Sequence, residues 1–169
     1  MNFKNKKIFS IDNLLFVIAL LVIAFIIIPR AWKNFLLQGQ EAAKIVNLVS
    51  IHNEPLEITP PYALVFWATW CKPCDIELGR IQSMIEENKI PQNKVIAVAV
   101  DDHLKPILEA QAKRNYSFPI VWDEDQSLSS MYQVQGTPTI LVIQKDNTIK
   151  WATTGLSPLL KLRLQSYLN

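Results

Sequence analysis

The 169-residue chain holds only two cysteines and two histidines, and these scarcities narrow its chemistry. Cys71 and Cys74, three positions apart, cannot staple a disulfide scaffold. They also cannot supply a Cys₄ or Cys₃His zinc site. A Cys₂His₂ site would need His52 and His103 both to converge on the CxxC, and the two have no ligand-like spacing to each other. Internal repeats and low-complexity segments are missing. Basic residues are few where a nucleic-acid surface would need them: past residue 40 the chain carries 12 basic and 14 acidic side chains. Phosphate binding calls for clustered Lys and Arg, so nucleic acid is not an expected partner.

The positive charge is concentrated at the start. Up to residue 40 there are five basic side chains (Lys4, Lys6, Lys7, Arg30, Lys33) against Asp12 alone, and between them Leu14 to Ile28 is an unbroken apolar run of 15. With Ile11 and Pro29 the segment approaches the length of a spanning helix. A run without a polar face is unlike a helix packed on a soluble core. A cleaved signal peptide is the rival reading, but Ile28-Pro29-Arg30-Ala31-Trp32-Lys33 offers no small-x-small cleavage site. The sequence therefore predicts a basic segment over 1–10, a transmembrane anchor over 11–29, a linker over 30–44 and a globular domain over 45–169. Basic residues are nearly balanced across the span, so the positive-inside count barely decides orientation. The basic-then-apolar start has the layout of an export signal, which favours a single-pass protein of the cytoplasmic membrane with its domain outside. That compartment favours disulfide chemistry.

Within the domain, 45–49 and 56–58 are candidate short edge strands ahead of the fold proper. The run 62–68 is continuously apolar, as in a central strand buried on both faces. A helix is expected over 73–87, with Ile76, Ile81, Met84 and Ile85 on its packed side, and a second buried strand over 94–100. A helix over 104–114, a strand over 118–122 and a short helix over 126–132 follow. Strands 139–144 and 148–153 flank Lys145-Asp146-Asn147, a hairpin signal, and 159–168 closes as a helix. The order β-α-β-α-β-α-β-β-α places the domain in the α/β class.

The chemistry lies in Trp70-Cys71-Lys72-Pro73-Cys74. Thiol–disulfide exchange needs one thiolate to attack and a second thiol to resolve the mixed disulfide. Cys71 falls at the strand-to-helix junction and Cys74 one turn into the helix, so the two sulfurs can meet. The helix N-terminus offers partial positive charge and free N–H groups to the first sulfur, and Lys72 adds a cation. Pro73 suits the first turn, where its missing N–H costs nothing. Cys71 is the expected nucleophile, with a pKa below the free value of about 8.5, and Cys74 the resolving thiol. A copper-handling module using the thiols as soft ligands is the alternative from another class; no Met or His lies close to the motif.

The stretch Phe66-Trp67-Ala68-Thr69-Trp70-Cys71-Lys72-Pro73-Cys74 resembles the thioredoxin active-site signature, and Gly136-Thr137-Pro138-Thr139 resembles that superfamily's second motif. The resemblance covers about residues 45–169 and implies a thioredoxin-like fold, a central mixed β-sheet flanked by helices, here preceded by the transmembrane helix. It implies a cis Pro138 beside Cys71, with Thr137 and Pro138 contacting substrate alongside Trp70, Lys72 and Pro73. Thioredoxin itself has a buried Asp where this chain has Val65, so thioredoxin-type proton transfer is in doubt. Glu77, three after Cys74, is instead similar to the Cys-x-x-Glu of the TlpA/ResA-like group, although Gly79 stands where that group has a proline. Ala97-Val98-Ala99-Val100-Asp101 and Phe118-Pro119 also look like that group's central segment. The group implies a membrane-anchored extracytoplasmic reductase, often tied to cytochrome c maturation, with no cofactor and no metal. Its partners would be disulfide-containing exported proteins and a membrane electron donor. Glu77 would relay the proton of Cys74. A disulfide oxidase or isomerase is the alternative within the class.

Overall fold

The structure, a computed structural model, describes residues 11–43, 45 and 48–169. Five strands form one mixed sheet: β1 (Tyr62–Trp67), β2 (Val95–Ala99), β3 (Ile120–Trp122), β4 (Thr139–Ile143) and β5 (Ile149–Thr154). The sheet order is β3-β2-β1-β4-β5. β1 pairs parallel with β2 and antiparallel with β4, which in turn pairs antiparallel with β5. The helices are α1 (Ile11–Leu37), α2 (Lys72–Glu86), α3 (Leu104–Arg114), α4 (Ser127–Met131) and α5 (Leu160–Leu168).

All six residues of β1 are buried, because side chains alternate across a sheet that is covered on both faces. Ala63, Val65 and Trp67 join Leu78, Ile81 and Met84 of α2 and Leu160 and Leu164 of α5 in one core. Leu64 and Phe66 face a second core with Leu128 and Tyr132. On α2 the buried side chains are Cys74, Glu77, Leu78, Ile81 and Met84, a 3.6-residue stripe. The packed side expected from sequence is therefore corrected by one position: Ile76 is exposed and Leu78 takes its place, because 76 lies off the arc set by 74, 78 and 81.

Of the two early edge strands, the first falls partly on Val46 and Asn47, outside the described residues. Around it one antiparallel bridge joins Val49 to Pro55, and 56–58 forms no strand. α1 is long and apolar enough to cross a membrane over Asn13–Leu37. It carries Pro29 within it and continues to Leu37, whose side chain is buried in the second core. The chain then runs along β5: Gly39 N donates to Ile149 O at 2.8 Å, Ile149 N to Gln40 O at 2.9 Å, and Ala42 N to Asn147 O at 2.7 Å. These residues cover part of an edge strand whose open backbone groups would otherwise invite pairing with another chain.

Burial also makes the fold sensitive to alkali. Tyr116, 7% exposed, stacks on Phe118 at 5.0 Å. Desolvation pushes its phenol up to about 12, opposed by a smaller lowering from Arg114 and helped by a raising from Asp75. Desolvation likewise raises Tyr132 and Tyr62. A folded-state pKa above the unfolded value of about 10 means that the native state holds its proton longer. Its contribution is whole below about pH 10 and is lost as pH rises toward 12. Urea unfolding should show about 2–3 kcal/mol lost over that window from Tyr116, and Tyr116→Phe should flatten the profile. An identical slope in the variant would refute the assignment.

Candidate active site

β1 ends at Trp67 and the chain turns through Ala68–Cys71, closed by Cys71 N donating to Ala68 O at 3.1 Å. Cys71 is then the N-cap of α2, and its Sγ accepts from Cys74 N at 3.3 Å. Side-chain acceptors at this position satisfy one of the orphan N–H groups of a helix start. Here the capping atom is the sulfur itself, so the helix terminus that needs an acceptor is the one that would stabilise a thiolate. Cys71 and Cys74 are joined by a disulfide, with Cα atoms 5.2 Å apart. Pro73 sits in the first turn, where its ring fits and no N–H is missed.

Cys74 is fully buried and Cys71 nearly so, whereas Trp70 is 73% exposed. Lys72 and Pro73 are exposed as well. The Thr137–Pro138 peptide bond is cis, as the resemblance implies. The pairing Phe66 with Thr139 puts this loop at the same edge of the sheet as the 68–71 turn. Trp70 and Thr137 share a cleft of about 190 Å³ with Val100, Gln126, Ser129, Val134 and Gly136. Trp67 is wholly buried and packs edge-on to Tyr116 at 6.3 Å, which makes it core.

Val65 is fully buried between Ala97 and Ile140, so no acid approaches the motif from β1. The acid comes from α2. Glu77 is 0% exposed, with Oε1 accepting from Ser157 N at 2.5 Å and Oε2 from the Arg80 guanidinium at 3.0 Å. Arg80 also donates to Ser157 O at 2.9 Å. Glu77 thus ties α2 to the loop between β5 and α5, whose first residue, Gly155, donates to Pro138 O at 2.7 Å. Arg80 was legible as an i,i+3 partner; Ser157, 80 residues away, left no local signal.

A second clamp was not anticipated. Asp101, at the end of β2, is buried and accepts from Thr69 N at 3.1 Å and from Thr69 Oγ1 at 2.5 Å. It fixes the residue two before Cys71 and holds the turn that presents the sulfur. An acid just past the carboxyl end of a parallel strand was the available cue, since that is the edge where α/β sheets place their sites.

The chain matches the AhpC/TSA family model over residues 31–152. The thiol-disulfide oxidoreductase ResA of Oceanobacillus iheyensis is 27% identical over 174 residues, covering 98% of this chain and 89% of that protein. ResA of Geobacillus kaustophilus is 30% identical over 92 residues, 54% of this chain and 53% of that one. Among solved structures, StoA from Bacillus subtilis shares the fold with a TM-score of 0.64 at 20% identity, covering 77% of this chain and all of that one.

Proposed function

The chain belongs to the AhpC/TSA family, and from that premise we propose that it is a membrane-tethered, extracytoplasmic thiol–disulfide oxidoreductase that reduces disulfides in exported proteins. The observation that carries the reading is the helix cap: Cys71 Sγ accepts the Cys74 N–H at the tip of α2, beside the cis-proline loop. The relatives named as thiol-disulfide oxidoreductases support the class.

The Cys71 thiolate attacks one sulfur of a substrate disulfide, forming a mixed disulfide and releasing the other sulfur as a thiolate that takes up a proton. Cys74 then loses its proton and attacks Cys71 Sγ, expelling the second substrate thiol and leaving the Cys71–Cys74 disulfide. Glu77, one turn beyond Cys74, handles the proton lost at that step. Trp70, Lys72, Pro73 and Thr137 form the surface met by substrate, and Pro138, which is buried, shapes that loop through its cis peptide bond. Two electrons and two protons must then return from a donor in the membrane. No cofactor enters the cycle. The resemblance to the TlpA/ResA-like group makes apocytochrome c a fitting substrate. Residues 11–29 of α1 are the anchor, and its end, through Leu37, docks on the catalytic domain of residues 45–169 on the outer side of the cytoplasmic membrane.

Direction is tested by the reduction potential together with the redox state of the protein in cells. Dithiol proteins range from about −270 mV for thioredoxin to about −120 mV for strong oxidants. A potential near the lower end and a mostly reduced resting pool are expected; a mostly oxidised pool would overturn reduction in favour of disulfide formation.

A further inference from the structure

The register of the sheet fixes which edge carries the redox centre. The end of β1 lies opposite the start of β4 (Phe66 with Thr139), and the start of β4 lies opposite the end of β5 (Thr139 with Thr154). The CxxC turn, the cis-proline loop and the end of β5 therefore share one edge. The direction of α1 along β5 is equally fixed. Asn34 Oδ1 lies 3.3 Å from Thr154 Oγ1, while Gly39 is bonded to Ile149. α1 thus runs antiparallel to β5, and its earlier residues rise past the CxxC edge. Ile27, Ala31 and Asn34 line a cleft of about 520 Å³ with Gly136, Thr137 and Gly155.

The contact is tied at several points. Lys33 Nζ donates to Gln133 O at 2.6 Å, just ahead of the cis-proline loop. Thr154 Oγ1, within reach of Asn34, is also 2.9 Å from Thr139 Oγ1, which donates to Gly136 O at 2.7 Å. With Leu37 buried in the core, the end of α1 is part of the domain. Its opposite face stays apolar: Phe25, Ile28, Trp32, Phe35 and Leu36 are all exposed and recur at helical spacing. Trp32 pairs with Phe35 at 6.1 Å, and tryptophan favours the headgroup layer.

We propose that α1 is a rigid strut which holds the CxxC edge against the bilayer surface, so that the site exchanges with a polypeptide disulfide or dithiol held at that surface. The inference rests on the reading of α1 as a membrane anchor. Asn34, level with the edge, lies six residues past the end of the apolar run, about 9 Å along the helix. That rise is close to the thickness of one headgroup layer, about 5–7 Å. On this edge Trp70, Leu156 and Leu159 are half exposed or more, beside the exposed Lys72 and Asp102.

The test uses the full chain in phosphatidylcholine vesicles, with and without a Gly-Ser linker of about eight residues inserted between Arg30 and Ala31. The insertion leaves the span and the docked residues 31–43 intact but frees one from the other. One readout is quenching of Trp70 by lipid carrying a headgroup nitroxide, taken as the difference from Trp70→Phe. The other is the rate with a disulfide peptide acylated into the same vesicles, against the rate with the unacylated peptide. The expected result is Trp70 quenching that disappears with the linker and an acylated-peptide rate that falls roughly tenfold, while the soluble-peptide rate is unchanged. Absent quenching in vesicle-bound wild type, or equal acylated-peptide rates with and without the linker, overturns the strut and leaves the anchor standing. If the wild type washes off the vesicles in alkaline carbonate, the anchor reading fails and the strut with it.

Discussion

Cys71→Ser is expected to lower disulfide exchange to the uncatalysed rate, a loss of at least about 10³-fold, because a serine hydroxyl neither ionises near neutral pH nor forms a bond to sulfur. Cys74→Ser should behave differently. It retains the attacking sulfur and its place as the cap of α2, so it completes the first displacement and stops there. The product is a covalent mixed disulfide, visible on non-reducing gels and removed by reductant. The asymmetry follows from position: Cys71 keeps 5% of its surface open at the start of α2, whereas Cys74 has none. Because a serine at that enclosed position adds a polar hydroxyl to an apolar site, Cys74→Ala is the companion variant and should trap the same adducts. Adducts that instead accumulated in Cys71→Ser would reverse the two assignments; steady turnover by either single variant would remove the dithiol mechanism altogether.

What could be read ahead of the structure was local. The continuous apolar run at 62–68 marked the central strand, and Lys145-Asp146-Asn147 marked the turn between β4 and β5, because strand period and turn chemistry act within a few residues. The CxxC and Thr137-Pro138 were legible for the same reason: each is a short segment whose backbone role is set by its own residue types. The contacts between distant segments were not. Glu77 reads in sequence as an acid on a helix, and only the return of the chain at Ser157 turns it into a buried clamp. Asp101 looked like the end of a strand until Thr69 came beside it. The docking of 31–43 along β5 was hidden too, since those bonds are made mostly by backbone groups of Gly39, Gln40 and Ala42, which carry no side-chain signature.

The Glu77–Arg80 pair yields the largest expected effect on stability, and the two halves should not be equivalent. Glu77 is fully buried, while the Arg80 side chain is 29% exposed. Arg80→Met would leave a carboxylate inside the protein with only the Ser157 N–H as partner. Uncompensated buried charges of this kind cost about 3–5 kcal/mol. Glu77→Met removes the charge that cannot reach water and leaves one that can. Its cost is the unpaired Ser157 N–H, about 1–3 kcal/mol. Arg80→Met should therefore be the more destabilising in denaturant unfolding, and the double variant should cost less than the two single losses added together, because both remove one interaction. The same set of variants separates proton handling from positioning. If Glu77 serves only to hold the 155–159 loop, Arg80→Met and Glu77→Met should slow exchange alike and leave its pH profile unchanged. If Glu77 carries the proton of Cys74, Glu77→Met should slow the resolving step and remove the carboxylate's limb from that profile, whereas Arg80→Met, which takes a guanidinium from the same carboxylate, should move that limb to higher pH, even at temperatures where both variants are fully folded.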